Sequence, residues 1–380
     1  MTDWEQWFAY RVAEREEAGL RRVLRPRRPD DAVIDLAGND YLGLSLHPGV
    51  RRAAADAALE WGAGSGASRL VTGTTQLHDD LERALAAFLG WPAALVMSTG
   101  YHANLSVVSA LVGKGDLVVS DGHIHASLVD AARLARAEIA VVPHNDVTAV
   151  DAALAAGLSG HPGRRALVLA ESVYSVLGDA APLVELAEVV ARHGALLVVD
   201  EAHGLGVVGD GGRGLVRETG LAGHPNVVVT ATLSKALGAQ GGALLGPASF
   251  REHLVNAARP FIFDTALAPS PVAGALAALR LLESEPGRPA VIHERTRALA
   301  AHLSVEAPEG AVLSVPMPSP QAAVAAQSGC ADEGVRVGCF RPPSVPDGVS
   351  RLRVTVNAGV DDAGWARAVD VLSRVVKEHR

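Results

Sequence analysis

Short apolar, β-branched runs alternate along this chain with Ala- and Leu-rich stretches of helical spacing. The runs are 93–99 (AALVMST), 116–121 (DLVVSD), 138–144 (EIAVVPH), 165–172 (RALVLAES), 195–202 (ALLVVDEA), 226–233 (NVVVTATL) and 242–246 (GALLG). They are apolar at successive positions rather than alternate ones, which is the pattern of strands buried on both faces. Between them lie amphipathic windows such as TTQLHDDLERALAAFLG (74–90) and APLVELAEVVARHG (181–194). The second closes on His193–Gly194, a helix stop. This alternation predicts an α/β fold: a mainly parallel, seven-stranded sheet covered by helices.

The pattern changes at 258–282 (ARPFIFDTALAPSPVAGALAALRLL), where proline-containing breaks precede a long helical window. A smaller α+β domain is expected beyond it, with strands in AVLSVPMP (311–318), GVRVGCFRPPSVP (334–346) and SRLRVTVNAG (350–359). The first forty residues read as a helix, an Arg-rich break and a short strand, AVIDLAG (32–38). The expected organisation is an N-terminal arm (1–47), a large domain (48–272) and a C-terminal domain (273–380).

Composition narrows the partners. Hydrophobic residues make up 49% of the chain and aromatics only 4%, so Ala, Val and Leu must fill the core. A net charge of -8, with arginines scattered rather than clustered, argues against nucleic acid or an anionic membrane. The N-terminus has acidic residues and helical spacing, not a signal-peptide layout. Apolar stretches such as GALLVVD are far shorter than the roughly 18 residues of a membrane span. Cys330 and Cys339 form no CxxC pattern and fit a reducing cytoplasm; small buried roles are expected for both.

The candidate chemistry starts from a scarcity. Of 34 basic residues only three are lysines: Lys114, Lys235 and Lys377. Lys235 ends the apolar run VVVTATLSK, among small hydroxyl residues. In open parallel sheets, ligands bind beyond the carboxyl ends of the strands. There this chain collects Gly100 and Tyr101 opening a helix, His123 and His125, the VYSVLGD loop, Asp200–Glu201–Ala202–His203, and Lys235. That set suits pyridoxal phosphate. A lysine amine forms a Schiff base with its aldehyde, and a carboxylate facing the pyridine nitrogen keeps the ring an electron sink. The phosphate suits the helix start at Gly100 and Tyr101, with hydroxyls from Thr232 and Ser234. His125 could lie flat on the ring. A single lysine after a strand is usually a solvated charge, and DEAH alone fits a strand end with a core histidine. The joint placement on adjacent strand ends is what favours the cofactor.

At these residues the chain resembles the α-oxoamine synthases, fold-type I pyridoxal phosphate enzymes that condense an amino acid with an acyl thioester and release carbon dioxide. The motifs are NDYLGLSLHP (39–48), GSGASRLVTGTTQLHDDLE (64–82), STGYHAN (98–104), HASLVDA (125–131), ESVYSVLGD (171–179), VVDEAHGLGVVG (198–209), TLSKALGAQGG (232–242) and RPPSVPDGVSRLRVT (341–355). The resemblance implies that Lys235 carries the Schiff base and moves the Cα proton. It implies Asp200 at the pyridine nitrogen, His203 at the phenolic oxygen and His125 stacked on the ring. Gly100, Tyr101, Ser175, Thr232 and Ser234 would bind the ring oxygen or phosphate. Asn39, Arg341 and Arg353 are candidates for the amino acid carboxylate, and Arg21 and Ser344 for the acyl substrate. Arg353 is preferred to Arg351 because the family's paired arginines sit twelve residues apart. GCFRPPSVP and PHNDV are most similar to members that join L-alanine to a pimeloyl thioester, on coenzyme A or a carrier protein, towards biotin. Other amino acid and acyl pairs, and an aminotransferase, are the competing activities. A homodimer with the cofactor at the interface is implied, with segment 62–73 reaching the partner; no metal is expected. Two positions depart from the pattern. Leu177 stands where an acidic residue is common, which predicts a local loop change. Ile124 replaces a common Ser, which brings His123 into competition with His125 for the stacking role.

Overall fold

The computed structural model describes residues 2–18, 20–22, 24–342 and 345–380. The chain divides into two compact units, Met1–Val33 and Ile34–Arg380. The first contains a helix, Asp3–Glu17, closed at its start by a capping box between Thr2 and Glu5. Trp4, Trp7 and Phe8 pack on one another, with ring centroids 5.4–6.1 Å apart.

The second unit opens with β1 (Ile34–Leu36) and then builds the large sheet. Its strands are β2 (Ala93–Met97), β3 (Leu117–Asp121), β4 (Glu138–Val142), β5 (Ala166–Glu171), β6 (Leu196–Asp200), β7 (Val227–Thr232) and β8 (Gly242–Gly246). The spatial order is β2-β8-β7-β6-β5-β3-β4. Only β8 runs against its neighbours, β2 and β7; β3 to β7 are mutually parallel. This is the mainly parallel, seven-stranded sheet that the apolar runs predict. Strands β3, β5, β7 and β8 are buried at every position, as the unbroken apolar runs require. The edge strand β4 exposes Ile139 and Val141. Several runs overshoot the strands by one or two residues: β6 stops at Asp200 and β7 at Thr232, where the chain turns to form the site.

Three further strands, β9 (Val312–Pro316), β10 (Val335–Phe340) and β11 (Arg351–Thr355), make a second sheet with β1, ordered β1-β10-β11-β9. The short strand AVIDLAG thus pairs in parallel with β10. Helices Pro320–Asp332 and Asp362–His379 contribute to a separate core of Leu36, Leu313, Val315, Val337, Leu352 and Leu372. The long helix expected after 258 is Pro269–Ser284, which packs on Pro48–Trp61. No helix among the described residues is long and apolar enough to cross a membrane.

Candidate active site

Register decides which side chains meet. Glu171 pairs with Asp200 across β5 and β6, and Asp200 with Thr230 across β6 and β7. Their polar ends therefore gather at the carboxyl edge of the sheet, where a cavity of about 230 Å³ opens. It is lined by Gly100 and Tyr101, His125, Glu171, Asp200, His203, Thr232, Ser234 and Lys235, together with Thr99, Asn104, Ser127, Ala202 and Ala231.

Lys235 follows β7 and puts Nζ 2.8 Å from His203 Nε2. Burial lowers its amine to about 8, although the charges of Asp200 and Glu171 pull the other way. Lys114 and Lys377 are exposed. Asp200 is buried and fixed from two sides. Its Oδ2 accepts from Asn104 Nδ2 at 2.7 Å and its Oδ1 from Ala202 N–H at 2.9 Å. Asn104 is itself held by Thr230 Oγ1 at 2.7 Å and by Ser127 Oγ at 2.8 Å. The next carboxylate, Glu201, turns away from the cavity, as alternation along a strand end dictates. It accepts from Ser172 Oγ at 2.7 Å and Val216 N–H at 2.6 Å, and burial raises it to about 7.

His203 is 4% exposed, and burial, with the Lys235 and Arg353 charges, holds its pKa well below the ordinary imidazole value. Its Nδ1 lies 2.6 Å from the Tyr41 hydroxyl. His125 lines the cavity with Nδ1 2.7 Å from Ser127 Oγ. His123 lies elsewhere: it packs on His144, centroids 4.5 Å apart. His144, from the PHNDV motif, bridges Asp121 (3.0 Å) and Asp179 (2.8 Å). Burial opposes its charge, but the two carboxylates prevail and raise it to about 9. This bridge braces the 174–179 loop, which keeps Ser175 in place through its N–H to Glu171 Oε2 at 3.0 Å. Leu177 lies in that turn, ahead of Gly178, whose φ of 82 and contact with Val312 carbonyl leave no room for a Cβ.

Helix Gly100–Leu111 starts at the cavity, capped by Thr99 Oγ1 accepting from His102 N–H at 3.0 Å. A Cβ at Gly100 would lie 3.0 Å from Thr232 Cβ, so glycine lets this helix start close to β7. Arg353 is buried and donates to Asn39 Oδ1 at 3.1 Å and to the Ser175 carbonyl at 2.7 Å. Arg351, two residues before it, is bound instead to Asp347. Arg341 is partly exposed, just past β10; like Asn39, Ser175 and Arg353 it is not in the cavity lining. Arg21 belongs to the N-terminal unit, where it pairs with Glu16 at 2.5 Å. Ser344 lies outside the described residues.

The sequence alone did not single out Tyr41, Asn104, Glu171 or Ser127. Glu171 carried a usable signal: it ends a strand directly beside the one that ends in Asp200. Burial raises Glu171 to about 8, and its Oε1 has no hydrogen-bond partner among the described residues.

The family model "Aminotransferase class I and II" matches residues 31–372. The chain belongs to that family. Within it, the chain is 55% identical over 375 residues to an 8-amino-7-oxononanoate synthase of Mycolicibacterium smegmatis, covering 98% of this chain and 97% of that protein. A serine palmitoyltransferase of Sphingomonas wittichii superposes with a TM-score of 0.90 at 32% identity, covering 100% and 99% of the two chains. An 8-amino-7-oxononanoate synthase of Francisella tularensis superposes with a TM-score of 0.77 at 26% identity, covering 92% and 99%.

The cofactor of this class I and II family member is pyridoxal 5′-phosphate, and the residues fit it. A lysine amine lowered towards neutrality, a doubly anchored carboxylate and a glycine-started helix converge on one small cavity. The helix start offers the N–H groups an anion needs.

Proposed function

We propose that the chain condenses L-alanine with a pimeloyl thioester, with loss of carbon dioxide, to give 8-amino-7-oxononanoate for biotin biosynthesis in the cytoplasm. One observation carries this reading. The Lys235–His203–Asp200 cavity sits in a chain 55% identical, almost end to end, to synthases of that name. Pyridoxal phosphate, when bound, supplies the electron sink for the bond broken at the amino acid Cα. Lys235 Nζ holds the cofactor and moves the Cα proton. Asp200 would keep the ring nitrogen protonated, His203 would donate to the phenolic oxygen and His125 would cover the ring. The N–H groups of Gly100 and Tyr101, with Thr232 and Ser234, would take the phosphate, and Ser175 would complete the ring contacts. Arg353 and Asn39 grip the carboxylate, because a guanidinium fork suits it and the two already touch. Arg341 is the weaker candidate for that role, because it is partly exposed just past β10, whereas Arg353 is buried against Asn39. Arg21 and Ser344 are assigned to the acyl side.

A second reading is favoured by the 0.90 TM-score to serine palmitoyltransferases. The deciding measurement is kcat/KM for L-alanine with pimeloyl-CoA or octanoyl-CoA, glycine with acetyl-CoA, and serine with palmitoyl-CoA. Pimeloyl-CoA with alanine is expected to lead, ahead of octanoyl-CoA by about tenfold to a hundredfold if its acidic tail gains one charge-assisted contact of roughly 1.5–3 kcal/mol. That margin is expected to shrink in Arg21→Ala. A win for serine with palmitoyl-CoA would replace this reading with the second.

The active species is proposed to be a homodimer. Segment 62–73 carries exposed Leu70 and Val71, and bridges through Ser68 to Thr265, near exposed Phe263. Burying these side chains against a second copy accounts for their exposure. Sedimentation at assay concentration is expected to give twice the chain mass. A fully active monomer would remove the dimer from the account.

A further inference from the structure

The unexplained group beside the site is Tyr41. It is 0% exposed and lies far from Lys235 in sequence, yet its hydroxyl is 2.6 Å from His203 Nδ1. Its backbone carbonyl accepts from Ala358 N–H at 2.7 Å, which ties it to the C-terminal part of the chain. A single phenolic proton faces two acceptors here: His203 Nδ1 at 2.6 Å and Asn39 Oδ1 at 3.3 Å. Asn39 Oδ1 also accepts from Arg353 Nη2 at 3.1 Å. The much shorter contact is the one to His203.

The protonation states follow from the surroundings. Burial keeps the Tyr41 proton on well above the ordinary phenol value. Burial and the charges of Lys235 and Arg353 keep His203 a neutral imidazole with one ring proton. If Tyr41 donates to Nδ1, that nitrogen is bare and the ring proton is on Nε2. Nε2 points into the cavity, 2.8 Å from Lys235 Nζ, which accepts the Nε2 proton when the amine is neutral and can only donate when it is an ammonium.

We infer that Tyr41 is a positioning residue that fixes the Nε2–H tautomer of His203, so that His203 enters the cavity as a hydrogen-bond donor. The inference rests on the pyridoxal phosphate reading of this cavity. The cofactor's phenolic oxygen is an acceptor, and a bare Nε2 facing it would repel it instead of binding it. The Arg353–Asn39 contact has a part in this arrangement: it holds Asn39 Oδ1 at 3.3 Å from the phenol, a longer contact than the 2.6 Å to His203 Nδ1. The carboxylate grip and the ring-oxygen contact thus share one hydrogen-bonded chain, Arg353–Asn39–Tyr41–His203.

The test is ¹⁵N NMR of the histidine-labelled apoenzyme at a pH about one unit or more above the Lys235 value of about 8, where the amine is neutral and leaves the choice of tautomer to Tyr41, with the His203 signals assigned by their loss in His203→Asn. Wild type is expected to show a bare Nδ1 and a protonated Nε2. Tyr41→Phe keeps the ring's volume and removes the donor; it is expected to shift at least half of His203 to the Nδ1–H form. In the holoenzyme the same variant is expected to lower kcat about tenfold, while KM for the amino acid changes less than threefold. A protonated Nδ1 in wild type overturns the inference without any variant. A tautomer unchanged in folded Tyr41→Phe overturns it as well. If wild type gains no visible absorbance on addition of pyridoxal phosphate, the cofactor reading fails, and the role of Tyr41 fails with it. The apoenzyme spectrum separates that failure from an error about the tautomer.

Discussion

Lys235→Ala is expected to abolish turnover, with a fall in kcat of about 10⁴-fold. Proton transfer by a placed side chain alone contributes roughly 10²–10⁴-fold, and this variant loses the covalent anchor as well. No other lysine can stand in, because Lys114 and Lys377 are exposed and outside the cavity. Borohydride reduction of the holoenzyme followed by peptide mapping should therefore label Lys235. Label on Lys114 would reassign the site. The pH dependence of cofactor uptake is a second check. The neutral amine is the nucleophile, and burial lowers Lys235 from 10.5 to about 8. At pH 7 its neutral fraction is larger by roughly two orders of magnitude than that of an ordinary lysine. Uptake by the apoenzyme is thus expected to accelerate as pH rises and to level off above about 8. A rate still climbing tenfold per pH unit at pH 9 would show an unperturbed amine.

The parts of this architecture that follow one local rule were legible in the sequence. Continuous apolar runs are satisfied between two helical layers in six of the seven strands, with β4 the exposed edge, so the large sheet stands out, and the ends of its strands point to Lys235, Asp200 and His203. Residues whose role depends on a partner distant in the chain were not legible. Tyr41 is separated from His203 by 162 positions, and nothing near NDYLGL indicates that its hydroxyl points to an imidazole. Asn104 is one of several polar residues on helix Gly100–Leu111, and only its contacts with Asp200, Ser127 and Thr230 reveal a clamp. Strand periodicity could not separate Arg351 from Arg353, because both lie on one face of β11. Their partners do: Asp347 takes the first, and Asn39 with the Ser175 carbonyl takes the second. His123 and His125 are two residues apart, and the turn after β3 sends one to His144 and the other to the cavity.

Asp200→Asn is the change expected to cost most after the loss of Lys235. It preserves the shape of the side chain and removes its charge. At about 4 Å and an effective dielectric of 20, a carboxylate–pyridinium pair is worth roughly 4 kcal/mol. Without it the ring nitrogen loses its proton near neutral pH, and the electron sink weakens. About 4 kcal/mol corresponds to a kcat lower by roughly 10³-fold. The geometry adds a smaller penalty. Asp200 accepts from Asn104 at 2.7 Å and from Ala202 N–H at 2.9 Å, and an amide has only one oxygen for these two donors. One buried donor is left facing another, at about 1–3 kcal/mol of stability. Thermal unfolding of the apoenzyme measures that second cost separately, because no cofactor is involved. The electrostatic cost can be isolated by loading the variant with a cofactor analogue methylated at the ring nitrogen, whose positive charge is permanent. Such an analogue should restore at least tenfold of the lost kcat in Asp200→Asn. Rescue is expected because the charge that Asp200 maintains is then built into the ring. If the variant keeps kcat within threefold of wild type, Asp200 does not face the ring nitrogen. If it loses activity but the methylated analogue restores none of it, Asp200 acts through the Asn104 clamp rather than through charge.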